Sequence, residues 1–455
     1  MRALMSIMLA VAFSIHFDPA FSQSLKQDSP PNIIFIFADD WGYGDLGCYG
    51  HTELATPNLD QLAAEGTRYT QFHVTSSVCS PSRSSVITGH FPPLHRVHGH
   101  FASNTSNERR DMPNWLNEEL PVYLPRLLQE AGYTTAHFGK WHLGGGGLPH
   151  GDLSAPEPKE YGYDETRVWN GNGPTWNGDQ LWPTTRYMDS DTVWVQNSSK
   201  VSVDATIDFM KRNKGKSPLF VNLWLKDPHG PIWPSEEQKK PYNHLSPGKE
   251  KYYAVITDAD YHVGRLMKAL KEMGFEENTL ILFSSDNGPS PNYVGSTAGL
   301  RGGKFSLLQG GVNVPFIARW PGHVKAGAID STSVMSAVDL LPTFCELAGK
   351  DLPNDYKPDG ESFASIFENI PFERSKPIFW EWRRPNVSAK RPEGWPGIAV
   401  RYGDWKLVVG KNRERVELFN IAEDRLEGQN LAETNKAKRD ELLSMWDEWK
   451  STLPE

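Results

Sequence analysis

Apolar runs recur along the chain, and one after another they end in polar clusters. Residues 32–38, Asn-Ile-Ile-Phe-Ile-Phe-Ala, are continuous, β-branched and aromatic, the pattern of a strand buried on both faces, and they run into Asp39-Asp40. Residues 133–138 lead into Gly139-Lys140-Trp141-His142, residues 219–224 into Asp227-Pro228-His229, and residues 279–285 into Asp286-Asn287-Gly288. Residues 314–320 read as a further strand. Helical stretches lie between them. Thr56 as N-cap and Pro57 at the first helical position open one, residues 124–131 form another that ends at Gly132, residues 204–211 are helical, and a long helix over 252–273 stops at Gly274. This alternation predicts an α/β fold: a large domain with a mixed, mainly parallel sheet flanked by helices. Ligands of such sheets sit beyond the carboxyl ends of the strands, where the polar clusters fall.

The texture changes from about Pro353. Short strands at 378–382, 397–401, 405–409 and 417–420, followed by a helix over 437–450, predict a smaller C-terminal α+β subdomain with an antiparallel sheet. Residues 144–200 are rich in Gly, Pro, Asn and Trp with little periodicity, and read as a long, structured insertion near the site. At the start, Arg2, the apolar residues 4–15 and Ala20-Phe21-Ser22 have the form of a secretory signal, which predicts a periplasmic or extracellular protein. The expected division is 1–22 signal peptide, 23–350 catalytic domain and 351–455 C-terminal subdomain. No later stretch is apolar enough to span a membrane.

Composition narrows the function classes. Of 455 residues, 38% are hydrophobic and 23% charged, which suits a soluble globular chain. The net charge of -9 comes without a basic block, which argues against a nucleic-acid groove but not against a small anion pocket. The three cysteines, Cys48, Cys79 and Cys345, are too few and odd in number for a disulfide framework, so at least one sulfur is free or modified. Asp39, Asp40, Asp286 and Asn287 are hard oxygen donors at the ends of two predicted strands and favour Ca²⁺ or Mg²⁺ over zinc.

Cys79-Ser80-Pro81-Ser82-Arg83, continued by Ser84-Ser85-Val86-Ile87-Thr88-Gly89, is the most specific motif. With Gly139-Lys140-Trp141-His142-Leu143-Gly144 and Arg301-Gly302-Gly303-Lys304 it resembles the type I formylglycine-dependent sulfatase family of the alkaline phosphatase superfamily. It is similar in particular to bacterial polysaccharide sulfatases and N-acetylgalactosamine-6-sulfatase-like proteins. The resemblance implies that a maturation enzyme oxidises Cys79 to formylglycine. The hydrated aldehyde carries two hydroxyls on one carbon, one to attack sulfur and one to expel sulfate by C–O cleavage. It further implies calcium, held by Asp39, Asp40, Asp286, Asn287 and the residue at position 79. Arg83 would hold the hydrated aldehyde, Lys140 would contact it and the sulfate, and His142 would take the proton that releases sulfate. His229 and Lys304 would bind sulfate and protonate the leaving oxygen.

The expected reaction is hydrolysis of a sulfate ester on a sulfated carbohydrate. Two rivals stand beside it: a phosphonate or phosphodiester hydrolase of the same superfamily, and a non-catalytic sulfated-glycan-binding protein. The basic cluster His95, Arg96, His98 and His100, and Trp169, Trp176, Trp380, Trp382, Arg383 and Arg384, are candidate sugar contacts.

Overall fold

The computed structural model describes residues 30–145, 152, 154–169, 175–177, 180–182, 192–383, 397–410 and 412–454. The predicted signal peptide, Arg384, and the side chains of Trp169 and Trp176 lie outside what is described. The strands, in chain order, are β1 (Asn32–Ala38), β2 (Thr67–His73), β3 (Thr134–Lys140), β4 (Glu165–Trp169), β5 (Thr175–Asn177), β6 (Gln180–Trp182), β7 (Leu219–Trp224), β8 (Thr279–Ser285), β9 (Asn313–Arg319), β10 (Ala328–Asp330) and β11 (Met335–Ser336). They form one sheet in the order β10-β2-β9-β8-β1-β7-β3-β4-β5-β6, with β11 also beside β2. The middle of this sheet is parallel. β1 pairs with β7 and β8, and β3 with β7 and β4, all in parallel register. Ala38 stands level with Ser285, and Phe37 and Gly139 both stand level with Trp224. The residues following these strands therefore emerge together at one edge. Buried apolar residues cover both faces of the sheet, in keeping with strands that show no alternation.

Most predicted elements are present, several with moved ends. β3 runs two residues past the expected Phe138, so Lys140 is its last residue rather than the start of a loop. The helix expected at 204–211 spans Thr192–Asn213, and the long helix begins at Pro247. Residues 144–200, expected to form a long, structured insertion, contribute β4 and the short strands β5 and β6, and they include the start of the Thr192–Asn213 helix. Thr56 occupies the N-cap position but does not cap. Its hydroxyl accepts from the Gly47 N–H (2.9 Å) and donates to Asp60 (3.1 Å). Asp260, on the Pro247–Met273 helix, takes the Asn58 and Leu59 N–H groups instead, at 3.1 and 2.7 Å.

β12 (Ile378–Glu381), β13 (Ile398–Tyr402), β14 (Trp405–Val409) and β15 (Val416–Asn420) form a separate antiparallel sheet in sequence order. The Lys436–Ser451 helix packs on it, with Trp449 stacked on Phe379 at 4.6 Å between ring centroids. The two sheets are joined through polar contacts. The Trp380 indole N–H donates to the Val74 carbonyl (2.7 Å), and Arg301 pairs with Glu417 (2.6 Å). Among the described residues no helix is long and apolar enough to cross a membrane.

Candidate active site

Cys79 opens the helix Cys79–Thr88, and all ten of its residues are buried. A helix enclosed on every side needs no apolar stripe. Small Ser side chains fit there by returning their hydroxyls to the backbone: Ser84 donates to the Pro81 carbonyl (2.8 Å) and Thr88 to the Ser84 carbonyl (2.8 Å). This sets Cys79 at the sheet edge and Arg83 one turn later on the same side.

β1 and β8 deliver the acidic pairs. The Asp286 N–H donates to the Ala38 carbonyl (3.0 Å), the Asp40 N–H to the Asp286 carboxylate (3.2 Å), and the Trp41 N–H to the Ser285 hydroxyl (3.0 Å). Asp40 takes a left-handed backbone conformation (φ 67°), which turns its side chain toward the others. Arg83 donates twice to Asp286 (2.6 and 2.9 Å) and lies 3.9 Å from Asp39. The Lys140 ammonium donates to Asp39. Lys304 donates to Asp40 (2.5 Å), and its Nζ is 3.6 Å from the Cys79 Sγ, which is itself 3.3 Å from Asp39. All ten residues implied by the motifs are thus brought to one end of the sheet. His142 and His229 line a cavity of about 400 Å³ together with Asp40, Cys79 and Lys304. The His142 ring contacts the Phe101 carbonyl (3.2 Å), and the His229 Nδ1 the Gly230 carbonyl (2.9 Å).

Charge in this cluster is balanced. Three buried carboxylates, Asp39, Asp40 and Asp286, face three buried cations, Arg83, Lys140 and Lys304. Burial works to raise the Asp39 pKa, but Lys140, His229, Arg83 and Lys304 outweigh it and hold the carboxyl well below its ordinary range. Burial and the charge of Asp39 push Asp286 up to about 6 in spite of Arg83. Burial, followed by Asp286 and Asp39, raises the Cys79 thiol well above its ordinary value. Burial also lowers His229 to about 3, and lowers His142 with help from Lys140.

The donor set fits a hard divalent cation. One oxygen or sulfur from each of Asp39, Asp40, Cys79 and Asp286 lies within 4.8 Å of the others. The Asn287 Nδ2 donates to Asp40 (2.6 Å) and to the Gly288 carbonyl (2.9 Å), while its buried Oδ1 has no hydrogen-bond partner among the described residues. A buried amide oxygen without a donor is costly unless something electropositive faces it. A cation among these carboxylates would also relieve the repulsion that raises Asp286. It would leave the cluster net positive, as an anion subsite requires.

Other sequence candidates divide. Of the basic cluster only His100 lines the cavity; Arg96 pairs with Asp111, and His98 lies 4.0 Å from Glu381. Trp380 is fully buried and committed to Val74, so it is not a sugar contact. Arg383 pairs with Glu381 (3.0 Å), and Trp382 lies behind Phe305. Phe305, Tyr293 and Asn292, which also line the cavity, had no signal in the sequence, because nothing in their spacing marks a pocket wall.

Two family models match the chain: the Sulfatase model over residues 31–350, and the C-terminal model of N-sulphoglucosamine sulphohydrolase over 304–449. Human arylsulfatase A is 34% identical over 359 residues, 74% of this chain and 67% of that protein. N-acetylgalactosamine-6-sulfatase of Rattus norvegicus is 31% identical over 432 residues, 89% of this chain and 76% of that protein. Among solved structures, Ps i-CgsB in complex with k-i-k-neocarrahexaose superposes with a TM-score of 0.78 at 27% identity, covering 92% of this chain and 93% of that one.

Proposed function

The chain belongs to the sulfatase family and is a sulfuric ester hydrolase, and from that premise we propose that it releases sulfate from a sulfated carbohydrate, using a formylglycine made from Cys79 and a bound calcium ion. The observation that carries this reading is the position of Cys79: at the first turn of a wholly buried helix, beside Asp39 and Lys304, at the floor of a cavity with three histidines, His100, His142 and His229, on its wall. A plain thiol has one reactive group; a hydrated formylglycine at the same place supplies two hydroxyls on one carbon. Asp39, Asp40, Asp286 and Asn287, with position 79, would hold calcium, which supplies a Lewis acid that draws charge from the sulfate oxygens.

The residues of the chain divide the remaining work. Arg83 is fixed by Asp286 and offsets negative charge at position 79. Lys140, pinned by Asp39, and Lys304, pinned by Asp40, present fixed cations to a sulfuryl group without having to reorganise. The neutral imidazole that burial enforces at His142 can accept the proton whose loss lets sulfate depart. His229, beside Lys304 in the cavity, serves the leaving oxygen, and a sulfate anion bound next to it favours its protonated form. A carbohydrate substrate is supported by the neocarrahexaose bound to a structure 27% identical and by N-acetylgalactosamine-6-sulfatase among the relatives. Export through residues 1–22, maturation by a formylglycine-generating enzyme and the division at residue 350 belong to the same proposal.

The test is a panel of sulfated mono- and oligosaccharides incubated with matured enzyme, scored by sulfate release and by NMR of the desulfated product. Release from a sugar substrate, abolished by chelation and restored by calcium, is expected. Binding of these sugars without release from any of them would favour a non-catalytic glycan-binding protein.

A further inference from the structure

Phe305 follows the cavity's Lys304 and adopts a left-handed backbone conformation, φ 72°. Bulky side chains seldom occupy this region, because Cβ crowds the neighbouring carbonyl, whereas glycine enters it freely. The backbone is held there on both sides: the Phe305 N–H donates to the Ser77 carbonyl and the Lys304 N–H to the Pro289 carbonyl, each at 3.0 Å. The turn would accept a glycine without strain, so the ring answers a demand other than that of the backbone. An observed outlier of this kind points toward function.

The ring is half-buried and lines the same cavity as Cys79, Lys304 and His229. Trp382, the residue just past β12 in the C-terminal unit, supports it at 6.1 Å between ring centroids, and the Lys304 Nζ lies 5.7 Å from the ring centre. Around the cavity stand Tyr293, Asn292, Ser290 and His100. The Tyr293 hydroxyl is packed so closely on Gly230 that a Cβ there would come within 1.9 Å of it, which fixes that wall. The cavity therefore combines an aromatic wall with amide, hydroxyl and imidazole groups. A pyranose matches this arrangement, having an apolar C–H face and a rim of hydroxyls. A purely apolar alcohol would leave the polar groups without partners.

We propose that Phe305 is a specificity-determining residue: its ring, supported by Trp382, carries the C–H face of the sugar whose sulfate enters the cluster at Cys79. This rests on the carbohydrate reading above and adds the residue that selects the sugar. The strained backbone is the structural cost of presenting that ring.

The test compares wild type, Phe305→Gly and Phe305→Tyr in two backgrounds. In matured enzyme, kcat/KM is measured on N-acetylgalactosamine 6-sulfate and glucosamine N,6-disulfate, alongside the inhibition constant of inorganic sulfate, which fills the anion subsite without a ring. In a Cys79→Ser background, calorimetry reads the Kd of the same sugars with no turnover. Phe305→Gly is expected to weaken kcat/KM and Kd for the better sugar about tenfold. The inorganic sulfate constant should shift by less than about threefold, the Tm should hold or rise, and Phe305→Tyr should recover sugar recognition. A lowered Tm, with the sulfate constant and the sugar parameters falling together, would overturn the proposal and make Phe305 a packing residue. Sugar binding that depends on Phe305 but yields no sulfate release would instead remove the hydrolase reading and leave this assignment standing. Failure of the wild type to bind any sulfated sugar would remove both.

Discussion

Lys226 lies two residues past β7, is only 3% exposed, and donates to the carbonyls of His229 (2.9 Å) and Pro231 (3.2 Å). It thus ties down the turn that presents His229. Replacing it with Met keeps the aliphatic bulk and removes both charge-assisted bonds. Lys226→Met is expected to lower kcat/KM on sugar sulfates by about tenfold or more, and on an activated aryl sulfate by much less, since only the sugar alkoxide needs a proton as it leaves. Equal losses on the two substrates would separate Lys226 from the acid step. Asp286→Ala is expected to abolish both calcium binding and turnover, checked by metal stoichiometry on the purified variant; it deletes an oxygen donor and strands Arg83. Asp39, Asp40, Lys140, His142, His229, Asp286 and Asn287 were legible because each lies at or just past the end of a strand of unmistakable pattern, and Cys79, Arg83 and Lys304 because each sits in a specific motif. Lys226 and Phe305 were not. A lysine ahead of an Asp-Pro-His turn reads as a surface cation, and a positive φ leaves no mark in the amino-acid order.

At the scale of elements, β1, β3, β7 and β8 were readable to within two residues, because strands buried on both faces write continuous apolar runs. The Cys79–Thr88 helix was missed for the converse reason. Its Ser-rich sequence has no apolar face, and complete enclosure supplies what periodicity would otherwise report. β2 was missed too: its run of Thr, Arg and Gln, half-exposed at several positions, carries little apolar signal. Thr56 illustrates a different limit, since a sequence-local cap was displaced by Asp260 from a helix far along the chain. Asp260→Ala removes the acceptor for two N–H groups at that helix start and is expected to cost about 2 kcal/mol. Thermal unfolding should show this as a lowered Tm, with kcat nearly unchanged because the helix does not touch the cavity. A Tm equal to that of wild type would show that water replaces the cap at little cost.

For the whole molecule, the C-terminal sheet does more than cover the larger one. The Lys406–Glu427 pair is fully buried, the other Glu427 oxygen accepts the Gln309 N–H (2.8 Å), and Arg301 reaches both Glu417 and the Glu427 carbonyl. These contacts bracket the segment that carries Lys304 and Phe305. Glu427→Ala leaves Lys406 buried without its partner and is expected to destabilise by about 3–5 kcal/mol. Denaturant unfolding monitored by tryptophan fluorescence measures this directly. The proposed calcium ion would act on the same scale. A ligand at a hundred times its Kd adds about 2.7 kcal/mol to stability, so chelation should lower the Tm and calcium should restore it. The central claim, however, is that the thiol of Cys79 is only the precursor of the working group. Its most direct test expresses the protein at graded levels of a formylglycine-generating enzyme and plots kcat for sulfate release against the fraction of residue 79 found as aldehyde by peptide mass analysis. A line through the origin, with Cys79→Ser fixed at zero, is the predicted result; full multiple turnover by protein whose residue 79 is unconverted would contradict it.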